Sequence, residues 1–336
     1  MPGCCHVELA KTTTGSGVYA PYVNSTSFNV TAPLDADSVL IRDVGPRDGL
    51  QAIDQNVSLE AKITMANGLI AAGLRRIEAG SFVSPKAVPR MADSRQVLGA
   101  MPKAAVAREA LVVNVRGAHA AIEAGVDVLV GVISASDTFS HRNVHMSKAD
   151  AITELRRIAE VAETAALPVS VDLSAAFGCA FEGPVGVDVV ADAAEQVTST
   201  GAFEIVLADT IGAAAPNDIS AVVAAVRERV GSDVHLGLHL HDTRGLALTN
   251  ATAGLDAGIR RFDASVGGLG GCPFSPGATG NVCTEDLVHL FDALGLSTGI
   301  NLNELIAVAA AIEHELGTKL PSHMLRAGPR FSHLAK

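Results

Sequence analysis

Short apolar runs alternate with longer helical stretches about eight times between residues 37 and 300, and that rhythm predicts an α/β fold, a (β/α)8 TIM barrel. The runs are continuously apolar, as in parallel strands covered on both faces. No run is followed by a G-x-G-x-x-G turn, which weighs against a doubly wound nucleotide-binding sheet. The nearest stretch, Gly267-Gly268-Leu269-Gly270-Gly271, leads into Cys272-Pro273 and not into a helix.

Strands are expected at Ser38–Val44, Arg76–Ala79, Ala104–Val113, Val128–Ile133, Val169–Ser174, Glu204–Ala208, Val234–Leu240 and Arg261–Val266. Helical patterns fall between them, as at Leu59–Ala72, Lys148–Ala165, Val187–Ser199, Ile219–Val230 and Leu246–Ala257. Residues 1–36 are rich in Ser, Thr, Asn, Gly and Pro and read as an N-terminal arm outside the core. Residues 37–300 form the expected catalytic barrel. Residues 301–316 have helical periodicity and 317–336 form a basic tail, so 301–336 read as an extra C-terminal helical appendage.

Composition narrows the function. Of 336 residues, 36 are acidic and 25 basic, for a net charge of −11, which disfavours nucleic acid or an anionic membrane as partner. The 48% hydrophobic content supports a large core. No apolar run approaches the ~20 residues that span a bilayer, and no signal-peptide pattern is seen. The five cysteines follow no disulfide spacing, which suits a reducing, cytoplasmic setting. Cys283 reads as helix packing, and Cys179 is undecided.

In a TIM barrel, chemistry gathers where strands end. Strand 1 runs into Arg47-Asp48-Gly49, strand 2 carries Glu78, strand 6 ends at Asp209 and strand 7 ends in His239-Leu240-His241-Asp242. Alternating strand side chains put His239 and His241 on one face, where they either share an ion or pair with each other. Asp48 would add a carboxylate and Asn281 an amide oxygen. Such a nitrogen and oxygen set, completed by water, suits Mg²⁺ or Mn²⁺. Zinc is less favoured because no thiolate pair stands at zinc spacing. Arg47 is either a surface ion pair or a fixed cation able to stabilise an oxyanion or enolate, with Glu78 holding it. Asp209 alone could be a supporting or a proton-transfer group. Cys272, in the loop Gly270-Gly271-Cys272-Pro273, is either a small loop residue or a proton-transfer thiol.

Together, Val44-Gly45-Pro46-Arg47-Asp48-Gly49-Leu50-Gln51, Glu78-Ala79-Gly80-Ser81-Phe82-Val83-Ser84-Pro85-Lys86, Ala208-Asp209-Thr210-Ile211-Gly212 and His239-Leu240-His241-Asp242-Thr243 resemble the 3-hydroxy-3-methylglutaryl-CoA lyase family. Gly268-Leu269-Gly270-Gly271-Cys272-Pro273 and Gly277-Ala278-Thr279-Gly280-Asn281 extend the match, in order, over about residues 38–326. The wider group is the DRE-TIM metallolyases. The resemblance implies a divalent metal on Asp48, His239, His241 and Asn281. It implies Arg47 as the enolate-stabilising cation, Glu78 as its positioner and Cys272 as a proton-transfer group. It further implies an acyl-CoA substrate, a homodimer, and retro-Claisen cleavage to acetyl-CoA and a keto acid such as acetoacetate.

The sequence also departs from that family. Gln51 is followed by Ala52-Ile53-Asp54, without the usual lysine near the CoA phosphates, and the tyrosine-bearing fifth strand is replaced by Val171-Asp172-Leu173-Ser174. Isohexenylglutaryl-CoA and citramalyl-CoA are therefore alternative substrates. A Claisen-condensing synthase is disfavoured, because synthases of the group favour Thr-Leu-Arg-Asp-Gly over Gly-Pro-Arg-Asp-Gly. A non-catalytic barrel is disfavoured by retention of all the expected ligands.

Overall fold

The computed structural model describes residues 28–271 and 280–331. Eight parallel strands close into one barrel in sequence order. They are β1 (Leu40–Asp43), β2 (Arg76–Ser81), β3 (Ala107–Leu111), β4 (Val128–Ser134), β5 (Val169–Ser174), β6 (Glu204–Asp209), β7 (His235–Leu240) and β8 (Arg261–Ala264). Closure is made by β1, which pairs with β2 through Arg42 and Arg76 and with β8 through Leu40 and Arg261. The expected (β/α)8 barrel is present, and strand ends shift by a few residues at most.

Each strand owes its double burial to two different surfaces. Outward residues such as Ile41, Ile77, Val171, Leu173, Ile205 and Leu238 join one large apolar core with the surrounding helices. The amphipathic helices beside them start at residues that satisfy free backbone donors. Ser58 caps Leu59–Ala71 by accepting from Ala61 N, Asn114 caps Val115–Ala124, and Ser147 caps Lys148–Thr164. The helix Asp137–Val144 carries no apolar rhythm, and its start is fixed by the Ser136 hydroxyl accepting from Phe139 N.

Inward residues are charged where a barrel interior is usually filled by branched aliphatics. Arg76 donates to Glu109 at 2.5 Å and to both oxygens of Glu204 at 2.7 Å, and the Ser170 hydroxyl donates to Glu204 at 2.7 Å. One layer higher, Arg42 donates from Nε and Nη2 to Asp263 at 2.8 and 2.6 Å, and from Nη2 to Asp172 Oδ1 at 2.7 Å. Buried charges are tolerated because each guanidinium is surrounded by carboxylates.

The arm and the C-terminal helix both join this body. Val30 packs with Ala107 and Val128 at the strand starts, and the Val30 and Ala32 carbonyls accept from Arg261 at 2.9 and 2.8 Å. The described part of the arm, from residue 28, thus lies at the end of the barrel where strands begin. The helix Leu302–Leu316 buries Leu305, Ala309 and Ile312 in the main core, and the short helix His323–Ala327 follows it.

Candidate active site

At the opposite end, β1 passes into a single wide turn, Gly45–Gly49, that carries Arg47 and Asp48. Pro46 fixes the entry to the turn, and the Val44 carbonyl accepts from the amides of Arg47, Asp48 and Gly49. Asp43 braces it from below, accepting from Gly45 N at 2.8 Å and the Thr284 hydroxyl at 2.7 Å. The turn aims Arg47 inward. Its Nη1 donates to Asp48 Oδ1 at 2.6 Å, and its Nη2 lies 2.6 Å from Glu78 Oε2 of β2 and 3.7 Å from Asp172 Oδ2 of β5.

The pleat of β7 puts His239 and His241 on the same side, with their Nε2 atoms 3.2 Å apart. His239 Nδ1 lies 3.1 Å from Asp263 Oδ2, so its outer nitrogen is held by a carboxylate and Nε2 faces the mouth. Asp48, His239 and His241 each present a ligand atom within 4.8 Å of the others. Asn281 lies beside them because its backbone pairs with His241. The Val282 amide donates to Leu240 O at 2.9 Å, and the Asp242 amide donates to Gly280 O at 3.2 Å. Its side-chain amide donates to Asp48 Oδ2 at 2.9 Å and to Leu269 O at 3.1 Å. Gly280 is required there, since a Cβ would stand 2.0 Å from the Gly268 carbonyl oxygen.

One orphaned atom and one facing pair of ring nitrogens fit this cluster to a cation. Asn281 Oδ1 has no hydrogen-bond partner among the described residues, although the amide lies against Asp48. The two Nε2 atoms, 3.2 Å apart, cannot both carry a proton pointed at the other. Oxygen and nitrogen donors of this kind fit a hard divalent ion.

Electrostatics follow from burial and neighbours. Burial opposes the charged form of Asp48, but Arg47, His239 and His241 hold its carboxyl well below the usual carboxylate range. His241 is pushed down to about 4, by burial first and then by the His239 charge, and so stays a neutral donor. Burial also opposes the His239 imidazolium. The Asp263 hydrogen bond and charge, with those of Asp48 and Asp172, outweigh it and raise its pKa. Glu78 is pushed up to about 7 by burial, against the pull of Arg47 and Arg42.

Asp209 sits at the end of β6 with its carboxylate turned to its own loop. It accepts from Ala213 N at 2.8 Å and Ala214 N at 3.1 Å, and so fixes the turn. Cys272 lies outside the described residues. Cys283, read as helix packing, is buried at the start of the helix Thr284–Ala293. Cys179 is buried with its Sγ 3.0 Å from the Ser136 hydroxyl.

Arg47, Asp48, Asp172, His239 and His241 border a cavity of about 360 Å³. Sequence reasoning did not single out Asp263 or Asp172 as site residues. The available signal was a charged residue set inside an apolar strand at an inward position.

Residues 38–312 match the HMGL-like family model. The chain is 41% identical to the (R)-citramalyl-CoA lyase of Chloroflexus aurantiacus over 304 residues, covering 87% of this chain and 96% of that one. It is also 41% identical to the hydroxymethylglutaryl-CoA lyase of Pseudomonas mevalonii over 282 residues, 84% of this chain and 93% of that one. Among solved structures, an HMG-CoA lyase from Acinetobacter baumannii in complex with coenzyme A and 3-methylmalate superposes with a TM-score of 0.85 at 38% identity, covering 90% of this chain and 98% of that one. Sequence, barrel and site geometry agree, and the chain belongs to the HMGL-like family of carbon–carbon lyases that act on CoA thioesters.

Proposed function

We propose that the protein cleaves a 3-hydroxy-3-methylglutaryl-CoA-like thioester by a retro-Claisen reaction, giving acetyl-CoA and a keto acid such as acetoacetate. The convergence of Asp48, His239, His241 and Asn281 beside a buried Arg47 carries this reading. A Mg²⁺ or Mn²⁺ ion held by those four residues would act as a Lewis acid toward the substrate's 3-hydroxyl and carboxylate.

The chain's own groups supply the rest. The hydroxyl proton passes to solvent water, the C3–O bond becomes a carbonyl as the C2–C3 bond breaks, and the bonding pair moves onto the thioester as an enolate. Arg47 meets that developing charge, and a fixed guanidinium costs no reorganisation when the bond breaks. Glu78 and Asp48 hold the guanidinium from two sides, so it cannot swing toward solvent. Asp263 orients His239, and Asp209 steadies the β6 loop as a positioning residue. The thiol of Cys272 would return a proton to the enolate carbon.

The acyl group is the open choice, since a citramalyl-CoA lyase and a hydroxymethylglutaryl-CoA lyase are equally similar at 41%. The test is acetyl-CoA release from a panel of 3-hydroxyacyl-CoA esters with Mg²⁺ or Mn²⁺ present. Failure to release acetyl-CoA from every ester would remove the proposal.

A further inference from the structure

One wall of the cavity has a polarity that a plain alkyl acyl group does not match. β5 turns Asp172 and Ser174 inward, and both border the cavity. Asp172 is fixed in place, because Arg42, 1% exposed, donates to its Oδ1 at 2.7 Å while also gripping Asp263. The other oxygen, Oδ2, accepts no hydrogen bond among the described residues. Arg47 Nη2 lies 3.7 Å from it, beyond hydrogen-bond reach and already committed to Glu78. The site thus holds a rigid acceptor with spare lone pairs at the cavity wall. Its cross-strand neighbour on β4, Val132, is apolar and borders the same cavity, as do Leu111 and Phe139.

We propose that Asp172 is a specificity-determining residue that selects a thioester whose C3 substituent carries a hydrogen-bond donor, a hydroxyl on a short carbon chain. This rests on the lyase reading above. A methyl or ethyl group pressed against Oδ2 would strip it of water and leave a buried charged acceptor unsatisfied. A second carboxylate would be repelled. A hydroxyl donates to Oδ2, while the carbon that bears it packs on Val132 and Leu111. Sites that hydrogen-bond a substrate hydroxyl reject analogues lacking it far more strongly than apolar pockets reject an added methylene.

The experiment compares three 3-hydroxyglutaryl-CoA esters bearing methyl, ethyl or hydroxymethyl at C3. Ethyl and hydroxymethyl have nearly the same size, so their ratio isolates the donor. With Mn²⁺ present, kcat/KM for hydroxymethyl should exceed that for ethyl by about 100-fold or more. The ratio should collapse or invert in Asp172→Leu, whose neighbour Arg42 keeps Asp263 as a partner. Acetyl-CoA release with a wild-type ratio near one overturns this inference and leaves the lyase reading standing. No release from any of the three overturns both. Should Asp172→Leu fail to fold, the wild-type ratio still decides.

Discussion

The barrel interior and its mouth are lined by the same residue types but treat them differently. In the interior, Arg42, Arg76, Glu109, Glu204 and Asp263 bind one another, and none of their side-chain nitrogens or oxygens is left buried without a partner. At the mouth, only a few ångströms away, Arg47 Nε, Glu78 Oε1, His241 Nδ1 and Asn281 Oδ1 are buried with no hydrogen-bond partner among the described residues. Unsatisfied polar atoms are costly, so their concentration at one end is a sign of purpose. Saturated charges make scaffold, and unsaturated ones make a place for ligand.

That contrast can be broken by swapping the consequences of mutation. Arg47→Gln removes the cation at the mouth and should lower kcat/KM by about 10³, as for loss of a charge-stabilising donor. A loss below tenfold in a steady-state assay would unseat Arg47 from the chemistry. Glu204→Gln strikes the saturated interior instead. It strips Arg76 of a charged partner and should cost about 3 kcal/mol in urea unfolding, while the folded fraction keeps most of its rate. Equal stability to wild type would mean the interior charges are not supporting one another.

Asp263 belongs to both regions, gripped by Arg42 below and holding His239 above. Asp263→Asn should therefore weaken Mn²⁺ binding by roughly 10–100-fold, read by calorimetry, since a lost carboxylate partner loosens the imidazole. Unchanged affinity would show that His239 needs no such support. The smallest effect concerns pH. Burial pushes Glu285 up to about 8, while its carboxylate accepts from Gly267 N at 2.9 Å. The folded chain thus keeps a proton that the unfolded chain loses from about 4.5 upward, so stability falls as pH rises from about 4.5 to about 8. Glu285→Gln lacks that loss, and its melting temperature relative to wild type should improve between pH 5 and pH 8.5. A constant difference would place the proton elsewhere.

Much of this division could be read from the sequence. Apolar strand cores such as Val128–Ser134 alternate with capped helices, so rhythm alone carries the fold. The mouth was readable because its residues cluster in short segments, Arg47-Asp48 and His239-x-His241, where one turn or one pleat sets their direction. The interior was not. Arg42, Asp172 and Asp263 lie on three strands separated by more than a hundred residues of chain between the first two, and only barrel closure makes them neighbours. A single charge inside an apolar run looks like an interruption until its partner is in view. The helix Asp137–Val144 has no apolar stripe to show in the sequence; its Ser136 cap and the burial of Phe139 against Ala175 and Cys179 hold it in place.

The contact between the arm and Arg261 has a practical side. Val30 and Ala32 offer backbone carbonyls to that guanidinium at the end remote from Asp48 and His239, so the handshake depends little on which side chains the arm carries. Residue 28 lies at the underside, remote from the entrance, so an attachment made there leaves the mouth free for an acyl-CoA.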